Sequence, residues 1–82
     1  MWFITGASKG FGFEIAKAAL ASGDQVVATV RNNAAELEAR LNAGDQALVV
    51  TLDVTNEKEV KAGVQAAIDR FKQIDVVVNN AG

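Results

Sequence analysis

The 82-residue sequence contains no cysteine, no histidine and no tyrosine. Without cysteine the chain has no disulfide and no thiol nucleophile, and without histidine as well it lacks the usual zinc ligands. A Ser-His-Asp triad is excluded because there is no histidine. The missing tyrosine excludes a phenolic acid or base. We therefore expect no metal site in this chain, and its lack of cysteine agrees with a reducing cytoplasm.

The chain also has no large excess of positive or negative charge and no long apolar run. Eight basic and ten acidic residues leave a net charge of -2, which offers no basic field for nucleic acid. No apolar run reaches the roughly 18 residues that a membrane span requires, and the first residues lack the pattern of a signal peptide. Half of the residues are apolar, which is enough for the core of one small domain, placed over residues 1–82.

Short apolar runs alternate with segments of helical period, which is typical of a βαβ succession and a parallel sheet. We expect strands at 1–5, 25–31, 47–52 and 74–79, and helices at 11–22, 33–42 and after Thr55 or Asn56. Gly44 is expected to close the second helix. One side of the third helix is expected to carry its apolar residues, Val60, Val64, Ile68 and Phe71. Gly63 lies inside the third helix and is expected to weaken it by about 1 kcal/mol relative to alanine. Right-handed crossovers favour an α/β fold with strand order 3-2-1-4, two helices on one face and the third on the other.

The segment 5–12, Thr-Gly-Ala-Ser-Lys-Gly-Phe-Gly, joins the first strand to the first helix. Gly6 allows a tight turn off the strand, Gly10 leaves room for a phosphate beside the backbone, and Gly12 lets the helix approach the sheet. Free N–H groups at the helix start then face an anion. The spacing G-x-x-x-G-x-G is not that of a P-loop. Taken alone it leaves open a glycine-rich turn that binds no ligand.

The end of the second strand bears on the choice of cofactor. Dinucleotide folds that bind NAD place an acidic residue about 20 positions after the glycines, where it binds the ribose 2′-hydroxyl. Here Val30 and Arg31 stand near that position instead. A guanidinium grips a 2′-phosphate that a carboxylate would repel, and Lys9 in the glycine turn would bracket the same phosphate. We therefore expect NADP rather than NAD, the alternative being two solvated surface charges.

Two further strand ends carry polar residues. Asp53 follows the third strand, where it either accepts a hydrogen bond from an adenine amino group, with Val54 packed nearby, or only begins a turn. The segment 79–82, Asn-Asn-Ala-Gly, follows the fourth strand. Its asparagine side chains can tie neighbouring strand ends together, and its small residues let a flat ligand approach. A simple Asn/Gly turn is the alternative.

Together these segments make the chain resemble the N-terminal part of short-chain dehydrogenases/reductases, over all 82 residues. The T-G-x-x-x-G-x-G and N-N-A-G motifs carry the resemblance. It implies a Rossmann fold, a nicotinamide cofactor and hydride transfer to or from a carbonyl or alcohol. The cofactor-binding residues implied by matching position are Gly6, Ser8, Lys9, Gly10, Phe11, Gly12, Arg31, Asn32, Asp53, Val54, Asn79, Ala81 and Gly82. Phe11 departs from the aliphatic residue usual in the family.

The resemblance also sets limits on what the chain does. Family members are about three times longer, and their catalytic serine, Y-x-x-x-K motif and substrate loop lie beyond residue 82. We therefore expect no catalytic residue in this chain and no turnover by this chain alone. The alternatives are a stand-alone or engineered nucleotide-binding module and a structural piece that binds nothing. An apolar fourth strand at the sheet edge, or the exposed face of the third helix, predicts a homodimer or larger assembly.

Overall fold

The computed structural model describes residues 1–8 and 10–80, so three predicted site residues, Lys9, Ala81 and Gly82, lie outside the described residues. The elements are β1 (Trp2–Ile4), α1 (Gly10–Ala21), β2 (Val26–Val30), α2 (Ala34–Leu41), β3 (Ala47–Thr51), α3 (Glu57–Phe71) and β4 (Val76–Val78). This succession confirms the predicted βαβαβαβ order. The ends differ by one or two residues from the predicted ranges, as is usual where terminal hydrogen bonds are missing.

The helix ends follow local chemistry. Gly23 ends α1 with φ +86°, and its N–H donates to the Leu20 carbonyl at 3.0 Å. Asn42 rather than the expected Gly44 ends α2; its φ is 46°, and its N–H donates to the Glu38 carbonyl. Asparagine tolerates this left-handed conformation better than most residues. Gly44, with φ +56°, instead begins a short 3₁₀ turn that leads into β3.

Asn56 is the N-cap of α3, which resolves the choice between Thr55 and Asn56. Its side-chain oxygen accepts hydrogen bonds from the N–H groups of Lys58 at 3.0 Å and Glu59 at 3.2 Å. These are two of the N–H groups that a helix start leaves without partners inside the helix. Thr55 bonds to Asp53 instead.

The four strands form one parallel sheet in the order β3-β2-β1-β4, as predicted. Ile4 is paired with Ala28 of β2 on one side and Val78 of β4 on the other. Val30 is paired with Thr51 of β3. Because all strands run in the same direction, their carboxyl ends lie at one edge of the sheet. From β1, the chain adds β2 and β3 on one side and β4 on the other, so the strand order changes direction between β1 and β4. Such switch points are where open α/β sheets bind ligands.

Alternate residues of the strands build a core on each face. One core joins Ile4, Val26 and Ala28 of the sheet to α1 and α2. The other joins Phe3 and Val27 to α3. This confirms two helices on one face and the third on the other. No helix within residues 1–8 and 10–80 has both the length and the apolarity needed to cross a membrane.

The buried face of α3 differs from the predicted one. Val64 and Phe71 pack against the sheet as expected, but Ile68 is 38% exposed and the fully buried positions are Gly63 and Ala67. The helix therefore presents its small residues to the sheet, so that the two backbones approach closely. A methyl group added at Gly63 would lie 2.5 Å from Leu52 Cδ2, which makes this glycine a packing requirement rather than only a weak point.

Candidate functional site

The glycine turn leaves the carboxyl end of β1 at the strand switch point. Gly6 has φ 60° and Gly10 has φ 56°, values that residues with a Cβ resist. Between them, Ala7 is fully buried and its N–H donates to the Thr29 carbonyl of β2 at 3.1 Å. The turn is thus fastened to the neighbouring strand at its inner residue, while its glycines carry the changes of direction.

Gly12 marks the closest approach of α1 to the sheet. A Cβ at this position would lie 2.6 Å from Asn80 Nδ2 and 2.8 Å from the Gly6 carbonyl oxygen. The Asn80 amide donates to the same Gly6 oxygen at 3.2 Å. The space in front of Gly12 is therefore occupied by the asparagine that closes the turn, which confirms the close helix–sheet approach expected of this glycine.

Thr5 joins the ends of β1 and β4. Its N–H donates to the Val78 carbonyl at 3.0 Å, and its hydroxyl oxygen accepts the Asn80 N–H at 3.0 Å. The single hydroxyl proton is shared between the Val78 carbonyl and the Asn79 side-chain oxygen, each at 3.3 Å. Asn80 was absent from the predicted cofactor residues, although the asparagine pair did predict a tie between strand ends.

The start of α1 provides a surface that fits a phosphate group. Gly10 is the first helical residue, and a Cβ built on it would meet nothing within 4 Å. The first turn contains no acidic residue, and the first N–H groups of an α-helix have no partner inside the helix. Phe11, which follows, is 79% exposed. Uncrowded glycine backbone and unpaired N–H groups are what a diphosphate requires.

Arg31 and Asp53 meet at the carboxyl ends of β2 and β3. The Arg31 Nη2 and Asp53 Oδ2 atoms are 3.8 Å apart, with 80% of the arginine side chain exposed. The other carboxylate oxygen, Oδ1, accepts hydrogen bonds from the Thr55 N–H at 2.9 Å and the Thr55 hydroxyl at 2.7 Å. These bonds, and secondly the Arg31 charge, hold the pKa of Asp53 below its ordinary value of 3.8.

The interpretation of Asp53 as the start of a turn agrees with its hydrogen bonds. It begins the turn before α3, where the Asn56 N–H donates to its carbonyl, and Glu59 accepts its N–H at 3.0 Å. Its Oδ2 nevertheless faces the side of the site where Arg31 extends. Val54 is partly exposed beside it, and Asn32 is exposed at the end of β2.

Arg40 belongs to this region but is not among the residues predicted from the sequence. Arg40 of α2 donates from Nη1 to the Ser8 carbonyl of the glycine turn at 3.1 Å. Its guanidinium carbon lies 4.1 Å from the centre of the Phe13 ring of α1. The only sequence signal was its place three residues after Leu37 and one before Leu41, at the flank of the buried helix face.

The described site residues therefore lie along one edge of the sheet, in two separate polar groups. The glycine turn and Asn79 lie at β1 and β4, whereas Arg31, Asn32 and Asp53 lie at β2 and β3. The arrangement can bind a polyanion along the helix start and a further polar group near Arg31. It brings no acid–base or nucleophilic pair together that would perform chemistry on a bound molecule.

Comparison with known proteins agrees with this geometry. The family model for short chain dehydrogenases matches residues 1–82. The chain is 44% identical over 84 residues to the oxidoreductase BOA17 of Botryotinia fuckeliana, with all of this chain and 30% of that protein covered. The chain thus spans less than a third of the length of this relative.

Two solved structures that contain a nicotinamide dinucleotide share the fold. A 3-oxoacyl-[acyl-carrier protein] reductase from Brucella melitensis in complex with NAD superimposes with a TM-score of 0.87 at 33% identity, over 99% of this chain and 32% of that one. The C-domain of a bacterial malonyl-CoA reductase with NADP gives 0.90 at 28% identity, over 99% and 14%. With the glycine turn, the strand order and the family match in agreement, the chain belongs to the short-chain dehydrogenase family.

Proposed function

We propose that this chain is the NADP(H)-binding part of an oxidoreductase that transfers hydride to or from a carbonyl or alcohol in the full-length protein. The observation that carries the proposal is the glycine turn, which opens at the strand switch point with Gly10 uncrowded and Gly12 pressed against Asn80. When bound, the nicotinamide group would accept or donate the hydride. The chain's own residues would bind and orient the cofactor.

The preference for NADP rests on the end of β2. Arg31 is exposed and has only one carboxylate near it in the described residues, at 3.8 Å. This separation is too long for a hydrogen bond, so most of the guanidinium donors remain available for a 2′-phosphate. Lys9, which lies outside the described residues, is proposed as the second cation from the sequence alone. One structural relative is in complex with NAD and another with NADP, so the family leaves both cofactors open.

The remaining predicted residues are proposed for the rest of the cofactor. The Ser8, Gly10, Phe11 and Gly12 backbone would hold the phosphates and ribose, and Asp53 and Val54 the adenine. Asn79, together with Ala81 and Gly82 outside the described residues, would line the approach to the adenosine side. The cytoplasmic location expected from the composition remains a prediction.

Titration of the purified chain with NADPH, NADH, 2′,5′-ADP and 5′-AMP tests the proposal. We expect saturable binding, with NADPH tighter than NADH and 2′,5′-ADP tighter than 5′-AMP. Arg31→Gln should weaken NADPH about tenfold or more, because paired charge-assisted hydrogen bonds are lost, and should leave NADH nearly unchanged. Arg70→Gln is the matched control. It removes the same charge from the last turn of α3, which packs on the sheet face opposite α1 and α2.

The outcomes separate the parts of the proposal. Absence of saturable binding by all four ligands would leave only a structural role for the chain. Tighter binding of NADH than NADPH would overturn the assignment of Arg31 to a 2′-phosphate while keeping the dinucleotide site. Steady-state oxidation of NADPH in the presence of aldehydes or ketones would contradict the expectation that the 82-residue chain is inactive, because it has no tyrosine to protonate a carbonyl.

A further inference from the structure

Arg40 reaches from α2 back to a turn that precedes it by 32 residues. Leu37, one helical turn earlier, is 1% exposed and anchors α2 in the core that α1 and α2 share. Because residues three apart lie on the same side of a helix, Arg40 emerges at the rim of that buried face. From there its Nη1 donates to the Ser8 carbonyl at 3.1 Å.

The Arg40 guanidinium is held in place by the Phe13 ring as well as by this hydrogen bond. Its central carbon lies 4.1 Å from the Phe13 ring centre, and Phe13 itself packs on the core of α1 and α2. A planar guanidinium stacked on an aromatic face keeps its fork of donors in a defined direction. The Lys17 ammonium lies farther from the same ring, at 5.3 Å, and has no such planar fork.

The glycine turn has a specific need for such support. Gly6 and Gly10 adopt positive φ, and glycine loses more conformational freedom on ordering than any other residue. Asn80 fixes the carbonyl of Gly6 from the β4 side. Arg40 fixes the carbonyl of Ser8 from the α2 side. The turn is thus held at two carbonyls, two residues apart, by one side chain from α2 and one from the segment after β4.

Arg40 also borders the space beside the turn. A cavity of about 450 Å³ opens there, lined by Gly10, Phe11, Phe13, Glu14 and Arg40. A ligand lying along the start of α1 would pass this cavity. The contact that Arg40 makes, however, is to a carbonyl of the protein. Its effect on binding is therefore to order the turn in advance, which lowers the entropy that binding must otherwise remove.

We propose that Arg40 is a positioning residue, which holds the glycine turn in the shape that binds the cofactor phosphates. The proposal rests on the dinucleotide function given above. It assigns Arg40 no contact with the cofactor, so its loss should affect all ligands of the turn to the same extent. This distinguishes it from Arg31, whose loss should affect only ligands that carry a 2′-phosphate.

The test compares Arg40→Met with Lys17→Met, which removes the other cation over Phe13. Methionine keeps an unbranched apolar side chain at both positions. Amide hydrogen exchange is followed in segment 5–12 and in β2 and β3, and NADPH and NADH are titrated under the same conditions. In Arg40→Met we expect faster exchange in segment 5–12 alone and a weakening of both dinucleotides by one common factor of about three to ten. Lys17→Met should match the wild type.

Several results would overturn the proposal. Unchanged exchange in segment 5–12, or equal acceleration there in Lys17→Met, would show that Arg40 does not hold the turn. Faster exchange in β2 and β3 as well would show a general structural role. Loss of NADPH affinity alone would mean that Arg40 contacts the 2′-phosphate. If the wild type binds no dinucleotide, the proposed function fails, whereas the exchange measurement still decides whether Arg40 orders the turn.

Discussion

At the scale of single residues, the three glycines of the turn serve different purposes. Gly6 and Gly10 supply positive φ, whereas Gly12 supplies the absence of a side chain, because Asn80 and the Gly6 carbonyl occupy the position of its Cβ. The same motif thus contains a backbone requirement and a steric one. Only the second involves a partner far along the chain, so a double-mutant cycle can separate them.

Gly12→Ala is expected to destabilise the chain by about 2–3 kcal/mol, because it overpacks the contact with Asn80. In an Asn80→Ala background this loss should shrink by about 1 kcal/mol, since one of the two colliding groups is gone. Gly10→Ala is the control, because its added methyl meets nothing and its cost, about 1–2 kcal/mol of left-handed strain, should be the same in both backgrounds. Urea unfolding of the six proteins measures the loss for each glycine substitution in both backgrounds. Equal losses for Gly12→Ala in both backgrounds would contradict the assigned contact.

Asp53 gives a residue-scale prediction for pH. Its hydrogen bonds from Thr55 and the Arg31 charge lower its pKa in the folded protein below 3.8. The carboxylate therefore contributes stability that is fully present above the ordinary pKa and is lost as the pH falls through the lower, folded-state value. We expect the difference in unfolding free energy between pH 7 and pH 3 to be smaller in Asp53→Asn than in the wild type.

The control for this measurement is Glu38→Gln, which removes an exposed carboxylate on α2 and should keep the wild-type difference. Asp75, whose pKa is lowered mainly by its hydrogen bond from the Met1 amino group, contributes a similar loss to every variant. Comparison between variants therefore removes it. A wild-type pH dependence retained by Asp53→Asn would show that the Thr55 bonds do not favour the charged form.

At the scale of elements, α3 shows how packing overrides helix propensity. Glycine inside a helix costs about 1 kcal/mol relative to alanine, and by that rule alone Gly63 is a defect. In the fold it is buried against Leu52, which is 3% exposed and follows β3. Asn56 stabilises the start of the helix, because its side chain accepts hydrogen bonds from two N–H groups of the first turn. Gly63 thus lowers the helix propensity of α3 but allows the helix to pack closely on the sheet.

Gly63→Ala should therefore lower the unfolding free energy by about 1 kcal/mol, because overpacking of about 1–3 kcal/mol exceeds the gain in propensity. In a Leu52→Val background, which shortens the side chain that the new methyl meets, the same substitution should be neutral or stabilising. Thermal or urea unfolding of the four proteins provides the cycle. A rise in stability for Gly63→Ala alone would mean that propensity dominates and the close approach is relaxed.

At the scale of the whole molecule, β4 is an edge strand of the sheet. It pairs with β1, and Val77 shares the sheet face with its neighbour Phe3. Val77 is nevertheless 64% exposed, whereas Phe3 is 4% exposed under the core that α3 forms. The cover provided by α3 thus stops short of β4. An apolar edge strand with free hydrogen-bonding groups is a template for pairing with another chain.

We predict that the chain self-associates through this edge, most simply as a two-fold dimer that continues the sheet. Val77→Lys should shift the light-scattering mass at high micromolar concentration toward the monomer, because edge lysines oppose strand pairing. Thr51→Lys places the same charge on β3 at the opposite edge and should leave association unchanged. A wild type that is monomeric at this concentration would refute the prediction, and equal effects of both lysines would place the interface elsewhere.

Much of this molecule follows from the sequence alone. Apolar periodicity determined the succession of strands and helices, and the right-handed crossover determined the strand order, because both depend on short-range geometry and chain direction. The glycine spacing located the turn of the site, since few residues besides glycine accept its backbone angles. Arg31 was identified by its position about 20 residues after the glycines, and Asp53 because it directly follows the predicted third strand.

Only the tertiary structure decided how that turn is held. The contacts from Arg40 to Ser8 and from Asn80 to Gly6 join residues 32 and 74 positions apart, and the approach of Gly63 to Leu52 depends on the rotation of α3. No local pattern encodes such contacts, because they arise from where helices come to rest on the sheet and which rotamers remain open there. The sequence determined that the turn exists and where it lies, whereas packing determined which side chains fix its shape.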